Sequence, residues 1–170
     1  MYRIGRRFEN QVVRRLKKHG IDAKRVPLSG RLNPLLPRCD IIIKINDKEL
    51  KGQLKYSRTK RVVFEGKEVE QLKNGEINFL CFGFYRKEPK FILLESLEFT
   101  SSHVRKNTFY KFKSGENLNL SIYDYDADYI VFVDSNFNKL LLKVLDFDTF
   151  VNVLKNKQIP MFCKKERQNN

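Results

Sequence analysis

The passage that most limits the folds open to this chain is Ile41-Ile42-Ile43-Lys44-Ile45, then Asn46-Asp47, then Glu49 to Tyr56. A β-branched run of that kind reads as a buried strand. Asn46-Asp47-Lys48 reads as a tight turn, and the residues after it as the returning strand. The turn sets the register. With Asn46-Asp47 as the loop pair, Asp40 comes opposite Gln53; with Asp47-Lys48, it meets Lys55 instead. Gln53 and Lys55 share a strand face because side chains alternate. Either register therefore gathers Asp40, Gln53 and Lys55 at one end of one hairpin, where polar groups at the ends of apolar runs make poor core.

Upstream, Arg3 to Lys18 reads as an amphipathic helix, with Ile4, Phe8, Val12 and Leu16 four apart, Val13 widening the stripe, and His19-Gly20 ending it. At about 100° per residue, Glu9 falls inside the apolar arc. A carboxylate on the core side of a helix needs a partner. Ile21 to Leu28 looks extended, with Pro27 marking an edge or strand end, and Ser29 to Pro37 is a loop. Further on, a short helix is expected over Gly66–Asn74, strands over Phe79–Tyr85 and Lys90–Leu94, and a hairpin over Tyr129–Val133 and Lys139–Val144. A closing helix is expected over Asp146–Lys155, and a polar tail over 158–170. The 101–119 stretch interleaves Phe109, Tyr110 and Phe112 with lysines, a pattern that suits base stacking or ordinary packing.

The 170 residues fit one domain, expected over 1–157. No apolar run approaches the ~20 residues a membrane span needs. The basic opening Met1 to Arg7 has no apolar stretch behind it, so a soluble, cytoplasmic, DNA-associated protein is expected. Cys39, Cys81 and Cys163 are scattered, and His19 and His103 are isolated, which supports neither a disulfide framework nor a zinc site. The formal charge is +14; residues 1–75 hold 20 Lys/Arg against 8 Asp/Glu, and 76–170 hold 14 against 12. The excess thus sits in the half that carries the polar triplet. A basic surface around a site implies a polyanionic partner, most simply nucleic acid.

These residues suit metal-assisted phosphodiester hydrolysis, which needs a hard cation, an activated water and relief of phosphate charge. Asp40 is the natural direct ligand, and the Gln53 side-chain oxygen and the Leu54 carbonyl can add neutral oxygens. Lys55 can orient the water and stabilise the transition state, and Glu9 can hold a metal-bound water or a second ion. Mg²⁺ is the expected ion. A neutral Gln weakens its binding, so Mn²⁺, higher in the usual affinity order, is a possible substitute.

Gly5-Arg6-Arg7-Phe8-Glu9, Arg25 to Gly30, Cys39-Asp40-Ile41-Ile42-Ile43, Gln53-Leu54-Lys55 and Ser57-Arg58 together resemble the PD-(D/E)xK nuclease superfamily. Within it, the chain looks most like archaeal Holliday junction resolvases and related phage endonuclease-like proteins. The likeness covers residues 1–61; Asp126 to Leu154 looks like the closing strands and helix of the phage forms, leaving 76–120 as an insertion. The resemblance implies an α/β, restriction-endonuclease-like fold, a central mixed β-sheet flanked by helices. It also implies a divalent-metal site of Glu9, Asp40, position 53 and Lys55, with Ser29 near the DNA backbone. Two residues depart from the pattern: Gln53 stands where the superfamily has an acid, and Cys39 replaces a proline.

The function expected is a metal-dependent DNA endonuclease acting on branched or junction DNA. Arg6, Arg7, Arg31, Arg58, Lys60 and Arg61 would follow phosphates, and a homodimer would supply two cuts. Two other readings stand beside it: a sequence-specific homing or restriction-type endonuclease reading bases through 76–120, and a non-catalytic DNA-binding protein on a nuclease scaffold, with Gln53 the mark of a dead site.

Overall fold

A left-handed pair at the turn starts the sheet. Asn46 and Asp47 have φ of 49° and 65°, the geometry that two-residue hairpins require. They join β2 (Ile41–Ile45) to β3 (Lys48–Ser57) with Ile43 facing Leu50 and Ile41 facing Gly52, the first of the two registers. The computed structural model describes residues 2–27, 39–97, 109–112, 119–123, 128–133 and 138–156. Ser29, Arg31 and the tail 158–170 lie outside the described residues.

Around this hairpin the elements run α1 (Tyr2–Lys18), β1 (Asp22–Arg25), β4 (Arg61–Phe64), α2 (Gly66–Asn74), β5 (Phe79–Phe84), β6 (Lys90–Ser96), β7 (Phe109–Phe112), β8 (Leu120–Tyr123), β9 (Tyr129–Val133), β10 (Lys139–Leu145) and α3 (Phe147–Lys155). Eight strands form one mixed sheet in the order β1-β2-β3-β5-β6-β10-β9-β7, and β4 pairs with β8 apart from it. The β3–β5 and β7–β9 pairs are parallel, and the others antiparallel. β5 and β6, in the stretch read as an insertion, are interior strands between β3 and β10. Phe109, Tyr110 and Phe112 belong to β7, and the base-stacking reading of their side chains falls outside what the structure describes.

The helices seat where the sheet leaves room. Gly52 and Gly83 lie on one face; a Cβ at Gly52 would stand 2.2 Å from the Phe79 ring, and one at Gly83 2.5 Å from the Phe8 ring. Phe8 brings α1 onto that face and also meets Tyr56, with ring centroids 5.3 Å apart. Phe150 brings α3 down on Phe79 and stacks on Phe91 at 3.9 Å. α1 buries Phe8, Val12, Val13 and Leu16 and ends at Gly20, whose φ of 80° suits the left-handed cap. α2 presents Val69 and Leu72 to the core and begins in a capping box, with the Glu65 N–H donating to Glu68 Oε1 at 2.9 Å. α3 is capped by Asp146, which accepts from the Thr149 N–H. Among the described residues no helix is long and apolar enough to cross a membrane.

Candidate active site

Asp40 sits one residue before β2 and is held by the main chain on both sides. Its N–H donates to the Gly52 carbonyl at 2.9 Å, and its own carbonyl accepts from Val26 N–H at 2.8 Å. Gly52 is already the partner of Ile41, so two successive residues of one strand address a single residue of the other. That is the arrangement of a β-bulge, which re-aims a side chain. The direct Asp40–Gln53 facing expected from simple alternation is thereby replaced. The Asp40 carboxylate instead accepts the Leu54 N–H through Oδ2 at 2.8 Å.

Peptide groups along β3 alternate between its neighbours. Gly52 O turns to Asp40, whereas Lys51 O and Ser57 O receive the Asn78 and Tyr85 N–H groups on the β5 side. The Leu54 peptide therefore turns toward β2, past its last residue. Asp40 satisfies its amide, and its carbonyl opens onto the same gap. Gln53 and Lys55 flank this peptide, both half-buried, with their side chains on the opposite pleat from Leu54.

Glu9 approaches from α1. Its carboxyl is pushed up to about 7, first by burial and next by the negative charge of Asp40, while Arg25 and then Arg6 pull it down. Arg25, on β1, lies 3.6 Å from Glu9, and both side chains are largely covered. The partner that a carboxylate on the core side of α1 needs is thus Arg25, in a bridge between α1 and β1, with Arg6 a lesser influence. Lys55 has its Nζ 3.4 Å from Glu68 on the opposite face, where Glu68 is 5% exposed.

Asp40 and the Leu54 amide thus meet directly, Glu9 lies within electrostatic reach of Asp40, Gln53 is next along the strand, and Lys55 is anchored by Glu68 on α2. Sequence reasoning missed Glu68 and Arg25 as partners. Glu68 carried a signal, since it stands at the third position of a helix opened by Glu65, where a capping box places an acid. Among the expected phosphate contacts, Arg6, Arg7, Arg58, Lys60 and Arg61 are exposed. Cys39 and Cys81 are buried free thiols.

The donors gathered here are oxygens: two carboxylates, a carboxamide and a peptide carbonyl. Among the described residues no group of three His, Cys, Asp or Glu side chains could hold a metal, so any ion here must lean on the neutral oxygens. Burial first, and the charge of Asp40 second, disfavour an ionised Glu9, an environment that a divalent hard cation would relieve.

The family model of archaeal Holliday junction resolvases (Hjc) matches residues 1–111. Among solved structures, the chain is similar to Hjc, a Holliday junction resolvase of the archaeal hyperthermophile Archaeoglobus fulgidus. The two are 26% identical, the match covers 50% of this chain and 72% of that one, and the TM-score is 0.41. No curated protein matches.

Proposed function

Since this chain belongs to the archaeal Holliday junction resolvase family, we propose that it is a divalent-metal-dependent endonuclease that hydrolyses phosphodiester bonds in four-way junction DNA. The observation that carries the reading is the Asp40 carboxylate, fixed on the Leu54 amide at 2.8 Å with Glu9 within its electrostatic reach. Asp40, the Leu54 carbonyl and Gln53 would hold Mg²⁺, or Mn²⁺ in its place, with Glu9 taking a bound water. The ion, when bound, supplies Lewis-acid polarisation of the phosphate and a more acidic water.

The chain's own groups do the rest. Leu54 N–H fixes the Asp40 carboxylate at the edge of the gap through Oδ2. Arg25 holds Glu9 beside Asp40. Lys55, steadied by Glu68, offers an ammonium to the attacking water or to charge developing on the phosphate. Arg6, Arg7, Arg58, Lys60 and Arg61 would position the DNA backbone without reading sequence, with Ser29 and Arg31 as further contacts. Paired cuts across a junction call for two sites, hence a homodimer.

A second reading is favoured by one residue. Gln53 leaves the site a carboxylate short, which fits a protein that binds junctions without cutting them. The experiment is to incubate the protein with four-way junction, linear duplex and single-stranded DNA in Mg²⁺ or Mn²⁺, beside Asp40→Ala and Lys55→Ala. Junction cleavage lost in both variants is the expected result. Junction binding with no cleavage by the wild type in either metal would leave only the binding role. Cutting of plain duplex at one fixed sequence, with junctions ignored, would favour a restriction-type enzyme.

A further inference from the structure

Alongside α1 runs a groove of about 540 Å³. At about 100° per residue, Arg7 and Glu9 stand roughly 160° apart around the helix, so the groove and the Asp40 site use different flanks of α1. Arg7 and Arg14 line it from the helix, Arg58 from the end of β3, and Tyr85, Arg86 and Lys87 from the turn between β5 and β6. Its floor is apolar, made of Phe8, Tyr56 and Phe84. The acid at its edge, Glu88, is ion-paired with Arg15, so the basic groups dominate the charge.

Tyr85 is the unusual member. It is 53% exposed, and the Arg86 guanidinium lies 5.1 Å from its ring centroid. Arg86 takes a φ of 59°, a conformation uncommon for residues other than glycine. A basic channel with a presented aromatic ring is what an unpaired strand needs, with phosphates along the cations and a base on the ring. A duplex keeps its base faces stacked inside and cannot use Tyr85 in this way.

We infer that this groove binds a single nucleic-acid strand, with its phosphates on Arg7, Arg14, Arg58 and Lys87 and one base stacked on Tyr85. The inference rests on the nucleic-acid reading above and shares Arg7 and Arg58 with its phosphate contacts, but Tyr85, Arg86 and Lys87 lie on the flank of α1 away from Glu9. It gives the protein a holder for an unpaired segment beside a branch point.

The test is fluorescence anisotropy of a labelled oligothymidylate, with a fully paired four-way junction in parallel. The proteins are the wild type, Tyr85→Ala, Tyr85→Phe and Arg86→Ala/Lys87→Ala, each checked for an unchanged thermal melt. The expected result is strand affinity reduced by about tenfold in Tyr85→Ala and in the double variant, and retained in Tyr85→Phe. Junction affinity should fall much less. A 2-aminopurine base in the strand should be quenched by the wild type and not by Tyr85→Ala. The inference is overturned if the wild type binds junction but no strand, if Tyr85→Ala binds the strand as tightly as the wild type, or if inorganic polyphosphate displaces the strand equally well from wild type and Tyr85→Ala. Failure to bind either DNA would instead bring down the nucleic-acid reading, and this inference with it.

Discussion

Glu9 is the residue at which sequence, packing and chemistry meet. Its place in the apolar arc of α1 was legible from helical spacing. Its partner Arg25 was not, because the contact depends on how α1 crosses β1. Burial and Asp40 push the Glu9 carboxyl from 4.5 up to about 7. Between those values the folded protein holds a proton that the unfolded chain has released. Stability therefore falls as pH rises through the window from about 4.5 to about 7, then levels off, by up to about 3 kcal/mol. Glu9→Gln should flatten that slope in pH-dependent melts. Asp40→Asn keeps an oxygen for the Leu54 N–H while removing a charge, so the Glu9 titration followed by carboxyl NMR should move below its wild-type position. It should still stay above an ordinary glutamate, because burial is the larger cause. Gln53→Glu adds a third carboxylate, so the metal-free protein should melt lower and its melting temperature should rise more with added Mg²⁺ than the wild type's does.

At the scale of elements, the turn residues around Asn46 and Asp47 narrowed the hairpin to two registers, of which the structure takes the first, whereas the bulge at Asp40 left no trace in the sequence. Alternation predicts a facing pair there, but the sequence carries no mark of the extra N–H that Gly52 O accepts. The β4–β8 pair was also hidden: its strands are short and far apart in sequence, so no local pattern joins them. Glu68 ties two elements at once, capping α2 through the Glu65 N–H and holding Lys55 on β3. Glu68→Gln preserves an acceptor for the cap and removes the charge facing Lys55. Junction cleavage should therefore drop while the melting temperature changes little, a split that a purely structural role would not give. Gly83→Ala presses a methyl against Phe8, next to Glu9, and should cost about 1–3 kcal/mol in denaturant melts. Phe8→Leu in the same chain should return part of it by opening space.

For the whole molecule, the uneven charge was plain in the sequence and the fold gives it a place. The basic excess lies on the outer flanks of α1 and around the end of β3, beside the hairpin that carries Asp40. Junction binding should therefore weaken steeply with salt, and Lys60→Ala/Arg61→Ala should reduce the log–log slope by about 2 if both meet phosphates. The alternation of peptide groups along β3 has a further consequence. The Leu54 peptide faces the gap beside Asp40 because β3 is gripped by antiparallel β2 on one side and parallel β5 on the other. The position of the proposed metal site is thus encoded in main-chain hydrogen bonds, and the side chain at 53 hangs from that frame without setting it. Under the proposed function, metal preference and the place of the cut can be tuned separately, so a library at position 53 should change which ion supports cleavage while leaving the cut position on a junction fixed.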